Sequence, residues 1–310
     1  MVDKLIDRIK ELKNPTVIGL DPTYEMIPDF LKEAALNCYG KTPKAVARMF
    51  LDFNMAIIDR IFDIIPAVKP QIAMYERYGI DGLTAYVETI QYAKSKGLIV
   101  IGDIKRGDIA STAEAYAAHI GGITIEGEFF DPWKEDFVTL NPYLGTDSMV
   151  PFLKYCKERE KGIFVLIKTS NPSSGELQDR LIDGKPLYWR TAELVDEWGA
   201  SVMGARGYSR VGAVVGATHK EQGEALRKHF PHIFFLVPGY GAQGGTGSDL
   251  RGYFDENGVG IIVNSSRGLI AAYQKDKEFG DVRTVGIEFA EATRKAAIQM
   301  RMDLQLAMER

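Results

Sequence analysis

The sequence predicts an α/β fold: a single (β/α)8 TIM barrel with an extra N-terminal helix and inserted loops, covering residues 1–310 as one domain. Three observations predict it. Eight short apolar runs alternate with helical stretches, the pattern of parallel βαβ units, and eight such units close a barrel. One run, 98–101, passes directly into Asp103-Ile-Lys105-Arg-Gly-Asp108, which puts charge at the end of a buried strand. The loops after the seventh and eighth runs carry a glycine-rich segment and an arginine, at the positions where such barrels commonly hold phosphate.

In chain order, helical periodicity over 4–13 stops at the turn signal Asn14-Pro15. The first strand, 17–20, runs into Asp21-Pro22. A helical region from Pro28 breaks near 40–43 and resumes over 49–64. The second run, Ala67-Val68, is short and ends in Lys69-Pro70-Gln71, and an amphipathic helix over 83–96 stops at Gly97. In the third run side chains alternate faces, so Asp103 and Lys105 point the same way as Ile99 and Ile101. If that face looks into the barrel, an acid and an amine stand together where the packed interior gives way to the mouth. Gly107 turns the chain, Ser111-Thr-Ala-Glu114 reads as a helix start with a capping box, and Asp108 and Thr112 share one side of it.

After Gly121-Gly122 an irregular acidic and aromatic segment extends to about residue 136. Strands are expected at 137–140, 163–167, 211–215, 233–237 and 261–263. They end at Asn141, at Lys168-Thr169-Ser170, at Gly216, at Pro238-Gly239 and at Asn264-Ser-Ser-Arg267. Helices are expected at 147–160, 187–205, 220–229 and 285–309, with a short one near 250–254. The segment 171–185, rich in Asn, Pro, Ser and Gly, reads as a long functional loop.

Composition narrows the function classes. Hydrophobic content of 45% and charged content of 26% belong to a soluble globular chain. A net charge of −4 gives no general attraction to nucleic acid or to an anionic membrane, so an anionic ligand needs local basic groups. Cys38 and Cys156 form no metal or redox motif and read as free thiols, which suits a reducing cytosol. The start, Met1-Val-Asp-Lys, reads as an amphipathic helix and not a signal peptide, and no apolar run approaches ~18 residues. The expected location is cytoplasmic.

The chemistry concentrates at strand ends. An ammonium between carboxylates in a low-dielectric site keeps all three charged by mutual attraction, a catalytic arrangement that Asp103, Lys105 and Asp108 supply. In Pro238-Gly-Tyr-Gly-Ala-Gln243-Gly-Gly-Thr-Gly247, five glycines would let backbone N–H groups approach an anion, with Gln243 donating from its amide. Arg267 adds a guanidinium able to hold phosphate bidentately.

The Asp-x-Lys-x-x-Asp motif at 103–108, Lys69 at an earlier strand end, and the 238–245 loop with Arg267 together resemble the orotidine 5′-monophosphate decarboxylase family. The wording at Gly19-Leu-Asp21-Pro22 and Asn141-Pro-Tyr-Leu-Gly145 is similar to its longer bacterial branch. The extra length falls mainly in 31–45, 121–135 and 171–185. The resemblance implies cofactor-free, metal-free loss of CO2 from C6 of the orotate ring, giving UMP in pyrimidine biosynthesis. It also implies a charged network of Lys69, Asp103 and Lys105 from one subunit and Asp108 from its partner in a homodimer. Asp103 would disfavour the bound substrate carboxylate, and Lys105 would stabilise the carbanion and protonate C6. Lys69 and Asp21 would reach the ribose, Thr112 would enter the neighbouring site, Ser170 would bind the pyrimidine, and Gln243 and Arg267 would grip the phosphate.

Competing readings remain at this stage. A metal-dependent phosphosugar decarboxylase or epimerase of the same barrel group would need a further acid for Mg2+ where this chain has Lys69. A Schiff-base aldolase would use Lys69 or Lys168. A non-catalytic nucleotide-phosphate binder would keep Gln243 and Arg267 without any need of the charge network. His119, His219 and the pair His229/His232 read as helix-end, loop or connector residues.

Overall fold

The computed structural model describes residues 1–275, 286 and 288–308. Eight parallel strands close into a barrel in sequence order: β1 (Thr16–Leu20), β2 (Ala67–Pro70), β3 (Ile99–Arg106), β4 (Phe137–Leu140), β5 (Gly162–Lys168), β6 (Val211–Val215), β7 (Phe235–Val237) and β8 (Ile261–Ser265). The last strand pairs back onto the first, Thr16 opposite Val263. Each strand is short and apolar because both its faces are buried, one against the barrel interior and one against the helical layer.

The interior is a separate apolar cluster in which Ile99 and Ile101 meet Val17, Ala67, Phe137, Phe164 and Leu236. Helix α1 (Val2–Leu12) joins the same cluster through Val2, Leu5, Ile6 and Ile9, so the amphipathic N-terminal helix plugs the barrel floor. With the floor sealed and the middle filled by side chains, the open end lies beyond the strands' C-termini, where the polar residues accumulate.

The three insertions are all folded. Most of 31–45 is the helix α2 (Asp29–Tyr39) and the start of α3 (Pro43–Ile61), which Thr42 caps by accepting from the Ala45 amide. The segment 121–135 forms a hairpin, Ile123–Ile125 against Glu128–Phe130, turned by Glu126-Gly127, both at positive φ. It ends at a buried polar knot behind β3. There Glu135 accepts from the Tyr86 hydroxyl and, 2.7 Å away, contacts His119 Nδ1, while His119 stacks on Trp133. The segment 171–185, expected to be an irregular loop, contains a helical turn, Pro172–Glu176, and a ribbon pairing Leu181–Ile182 with Lys185–Pro186.

Other boundaries differ for local reasons. The expected capping box at Ser111 does not form. The helix Ala110–Gly121 starts earlier with Ile109 at its N-cap and no side-chain cap, and Glu114 instead accepts from the Tyr155 hydroxyl at 2.9 Å. The helix expected at 187–205 ends at Gly199, where any Cβ would lie 2.5 Å from Ser209 Oγ. The seventh strand covers only Phe235–Val237, not 233–237. The final helix, expected at 285–309, is observed as Phe289–Met308; Val285 and Glu309 lie outside the described residues. Cys38 and Cys156 are free thiols. Among the described residues no helix is long and apolar enough to cross a membrane.

Candidate active site

A cavity of about 610 Å3 opens at the C-terminal end of the barrel, within the usual range for small-molecule sites. Asp21, Lys69, Asp103, Lys105, Ser170, Gln243 and Arg267 all line it, contributed by the ends of β1, β2, β3, β5, β7 and β8. Seven of the nine expected site residues therefore converge from six strand ends. The other two, Asp108 and Thr112, do not line this chain's cavity: Asp108 accepts from the Ile109 amide at 2.8 Å, and Thr112 is solvent-exposed.

Asp103 is the centre of the site. Its Oδ2 meets Lys69 Nζ at 2.5 Å and its Oδ1 meets Lys105 Nζ, so two ammoniums hold one carboxylate. Burial pushes the Asp103 carboxyl up, but the attraction of Lys69 and Lys105 outweighs burial and holds it well below the usual carboxylate range. Burial acts to lower the pKa of Lys69, and the opposing charges of Asp103 and Asp21 leave it raised. Both partners of the inner pair are therefore charged across the neutral range. The Lys69 side chain is only 5% exposed, whereas that of Lys105 is 46% exposed and free to face a ligand.

Asp103 and Lys105 face the same cavity, as the alternation in β3 predicts, but the backbone that brings Lys105 there is not regular strand. The β3–β4 register shifts between Gly102 and Arg106, and Lys105 sits at φ 44°, a left-handed conformation that costs a non-glycine residue about 1–2 kcal/mol. Backbone strain of this kind persists only where surrounding contacts enforce it. Thr139, at the end of β4, supplies two of those contacts. Its hydroxyl donates to Asp103 Oδ1 at 2.8 Å and accepts from the Lys105 backbone N–H at 3.0 Å. In sequence Thr139 is one residue in an apolar strand with nothing to mark it. Replacing it with valine is expected to lower kcat about 10-fold or more with little change in KM, since misplacing a reacting group by ~1 Å can cost ~10²-fold. Steady-state kinetics would check this, and an unchanged kcat would remove Thr139 from the positioning of Lys105.

Two buried acceptors at the cavity, Asp21 Oδ1 and Asn264 Oδ1, have no hydrogen-bond partner among the described residues. Buried oxygens without partners are rare and suit a hydroxylated ligand. Asn264 was not singled out by the sequence, being one of several polar residues after an apolar run.

Gly239, Gly241 and Gly244 take positive φ, and the amides of Gly241, Ala242, Gly244 and Gly245 bond to carbonyls of the glycine-rich loop itself. The Gln243 and Arg267 side chains both line the cavity. At Gly239 a Cβ would stand 3.0 Å from Gln243 Oε1 and 3.1 Å from Ser170 Cβ, so glycine there lets the two side chains lie close to the loop backbone. Lys168, weighed above as a Schiff-base lysine, is fully buried, pairs with Asp179 at 2.6 Å and does not line the cavity.

A barrel with a sealed floor, a mixed lysine–aspartate cluster at its mouth and a glutamine–arginine pair on adjacent loops has the architecture of a TIM-barrel enzyme. The particular family follows from comparison with known proteins. A sequence profile of the orotidine 5′-phosphate decarboxylase / HUMPS family matches residues 15–281. The chain is 44% identical to the orotidine 5′-phosphate decarboxylase of Petrotoga mobilis over 98% of both chains, and 45% identical to that of Rhodopirellula baltica over 94% of both. Among solved structures, Leishmania donovani OMP decarboxylase superposes with a TM-score of 0.69 at 28% identity over 97% of this chain and 98% of its own. Leishmania donovani UMP synthase superposes with a TM-score of 0.73 at 30% identity, and the chain spans 56% of its length. The chain belongs to the orotidine 5′-phosphate decarboxylase / HUMPS family, and within it to the orotidine 5′-phosphate decarboxylases, enzymes of pyrimidine biosynthesis.

Proposed function

We propose that this chain converts orotidine 5′-monophosphate to UMP and CO2 without metal or organic cofactor, as a single cytoplasmic barrel domain, through the cluster centred on Asp103. The observation that carries this is Asp103 buried between the Lys69 and Lys105 ammoniums, inside a cavity that also holds Gln243 and Arg267. Arg267 and Gln243 take the phosphate, Asp21 and Lys69 the ribose hydroxyls, and Ser170 the pyrimidine. This places the substrate's C6 carboxylate toward Asp103, where two like charges disfavour the bound ground state. The C6–CO2 bond breaks and leaves its electron pair on C6. Lys105, half-exposed at the mouth, stabilises that charge and delivers its proton to C6. Phosphate binding, remote from the bond that breaks, contributes by fixing the ring in this geometry.

Against a metal-centred reading stands Lys69, whose ammonium within the cluster repels a divalent cation.

Asp108 and Thr112, outside this chain's own cavity, complete the site of a second copy across a homodimer interface. The test is decarboxylation of orotidine 5′-monophosphate by EDTA-treated protein, together with subunit complementation. Lys105→Ala and Asp108→Ala homodimers should each be inactive. Equal co-expression should restore roughly one quarter of wild-type sites, because half the dimers are mixed and each regains one intact site. Activity lost to EDTA and restored by Mg2+ would overturn the cofactor-free mechanism. Absence of recovery on co-expression would overturn the shared site.

A further inference from the structure

The loop that carries Gln243 leaves β7 at Pro238, and its three glycines at positive φ give it wide conformational freedom to lose. Its internal amide bonds shape it but do not tie it to the barrel. At its far end Thr246 bonds to Asp249, and a tie to both ends comes from the C-terminal helix α11 (Phe289–Met308), which follows α4 (Ile72–Glu76), α5 (Gly79–Ser95), α6 (Ala110–Gly121), α7 (Thr146–Glu158), α8 (Leu187–Gly199), α9 (Lys220–His229) and α10 (Arg267–Ile270). One oxygen of Asp303 on this helix, Oδ2, accepts from the Tyr240 hydroxyl at 2.7 Å and from the Gly247 backbone N–H at 2.9 Å. These two donors stand at the opposite ends of the segment that presents Gln243. The fit is close: a Cβ at Gly247 would lie 2.7 Å from both Asp303 Oδ2 and Asp303 O.

We propose that Asp303 is a positioning residue for phosphate recognition, a carboxylate clamp that closes both ends of the 240–247 loop onto α11 and so presents Gln243 to the phosphate. This rests on the reading of Gln243 and Arg267 as the phosphate-binding pair. Asp303 does not line the cavity and touches no reacting group. Its effect is to remove, before the ligand arrives, freedom that the loop would otherwise lose on binding, the general origin of affinity gained by preorganisation. Burial and the Asp303 carboxylate both push the Tyr240 phenol up, so its hydroxyl stays a donor at any working pH.

The test compares kcat/KM for orotidine 5′-monophosphate with that for orotidine, which lacks the phosphate, in the full-length enzyme. Asp303→Ala should lower the first by about 10- to 100-fold, the range for losing charge-assisted hydrogen bonds, and leave the second within about twofold. Asp303→Asn, whose amide oxygen can occupy the Oδ2 position, should restore most of the loss. Tyr240→Phe, which removes one bond of the two, should fall between and serves if the alanine variant does not fold. Equal losses on both substrates, or no loss on either, would overturn the clamp. A wild-type enzyme that does not prefer the phosphate-bearing substrate would instead overturn the phosphate-site reading, and this inference with it.

Discussion

Replacing Lys105 with alanine is expected to lower kcat by about 10⁴-fold or more, at least ~5 kcal/mol in the barrier, because in the proposed mechanism the side chain is both the proton donor and the charge facing the carbanion. The fold should survive the change. Lys105 Nζ contacts Asp103 from the exposed side, while the buried partner Lys69 stays in place and keeps the Asp103 carboxylate paired. The backbone at 105 is left-handed for lysine already, so alanine inherits the same strain and adds none. Single-turnover assays at saturating substrate, run beside thermal melts, would separate chemistry from stability. A loss under tenfold with an unchanged melting temperature would mean that another group protonates C6.

Replacing Asp103 with alanine should act on stability as well as activity. It leaves the Lys69 ammonium buried with its direct partner gone and only Asp21 nearby to attract it, a change of the kind that costs about 3–5 kcal/mol. It also frees Lys105 and Thr139 from their shared acceptor, so kcat should fall at least ~10²-fold. The pH dependence identifies the cause. The folded pKa of Asp103 lies below its unfolded value of about 3.9, so its stabilising contribution is complete above that pH and is lost as pH falls below it. The folded pKa of Lys69 is raised above about 10.4, so its contribution is complete below that value and is lost as pH climbs through the folded pKa. Urea melts of wild type and variant should therefore differ most near neutral pH, and the difference should shrink below about pH 4 as Asp103 is protonated in the wild type, and at alkaline pH as the variant's unpaired Lys69 gives up its proton. A gap that widens on acidification would contradict the buried ion pair.

Much of this protein was determined by local sequence. Alternating apolar runs and helical periods set the eight βα units and their order, because burial on two faces demands continuous apolar strands. The position of Asp103, Lys105, Gln243 and Arg267 at strand ends followed from the same register, as did the amphipathic α1. Other features were decided only when distant segments met. Thr139 became the shared partner of Asp103 and of the Lys105 backbone through the register shift between β3 and β4, and no local pattern encodes a register shift. Glu114 left the cap it could have made for a hydroxyl on α7, and the 171–185 segment acquired order by tying its Asp179 to the end of β5 at Lys168. The glycine-rich loop turned four of its amides inward and took an anchor from Asp303 some sixty residues further along the chain. Periodicity reports which face of an element avoids water, a one-body property of the chain. Which polar groups then satisfy each other is a pairwise property of the closed barrel, fixed when burial leaves each of them only the partners that packing brings within reach.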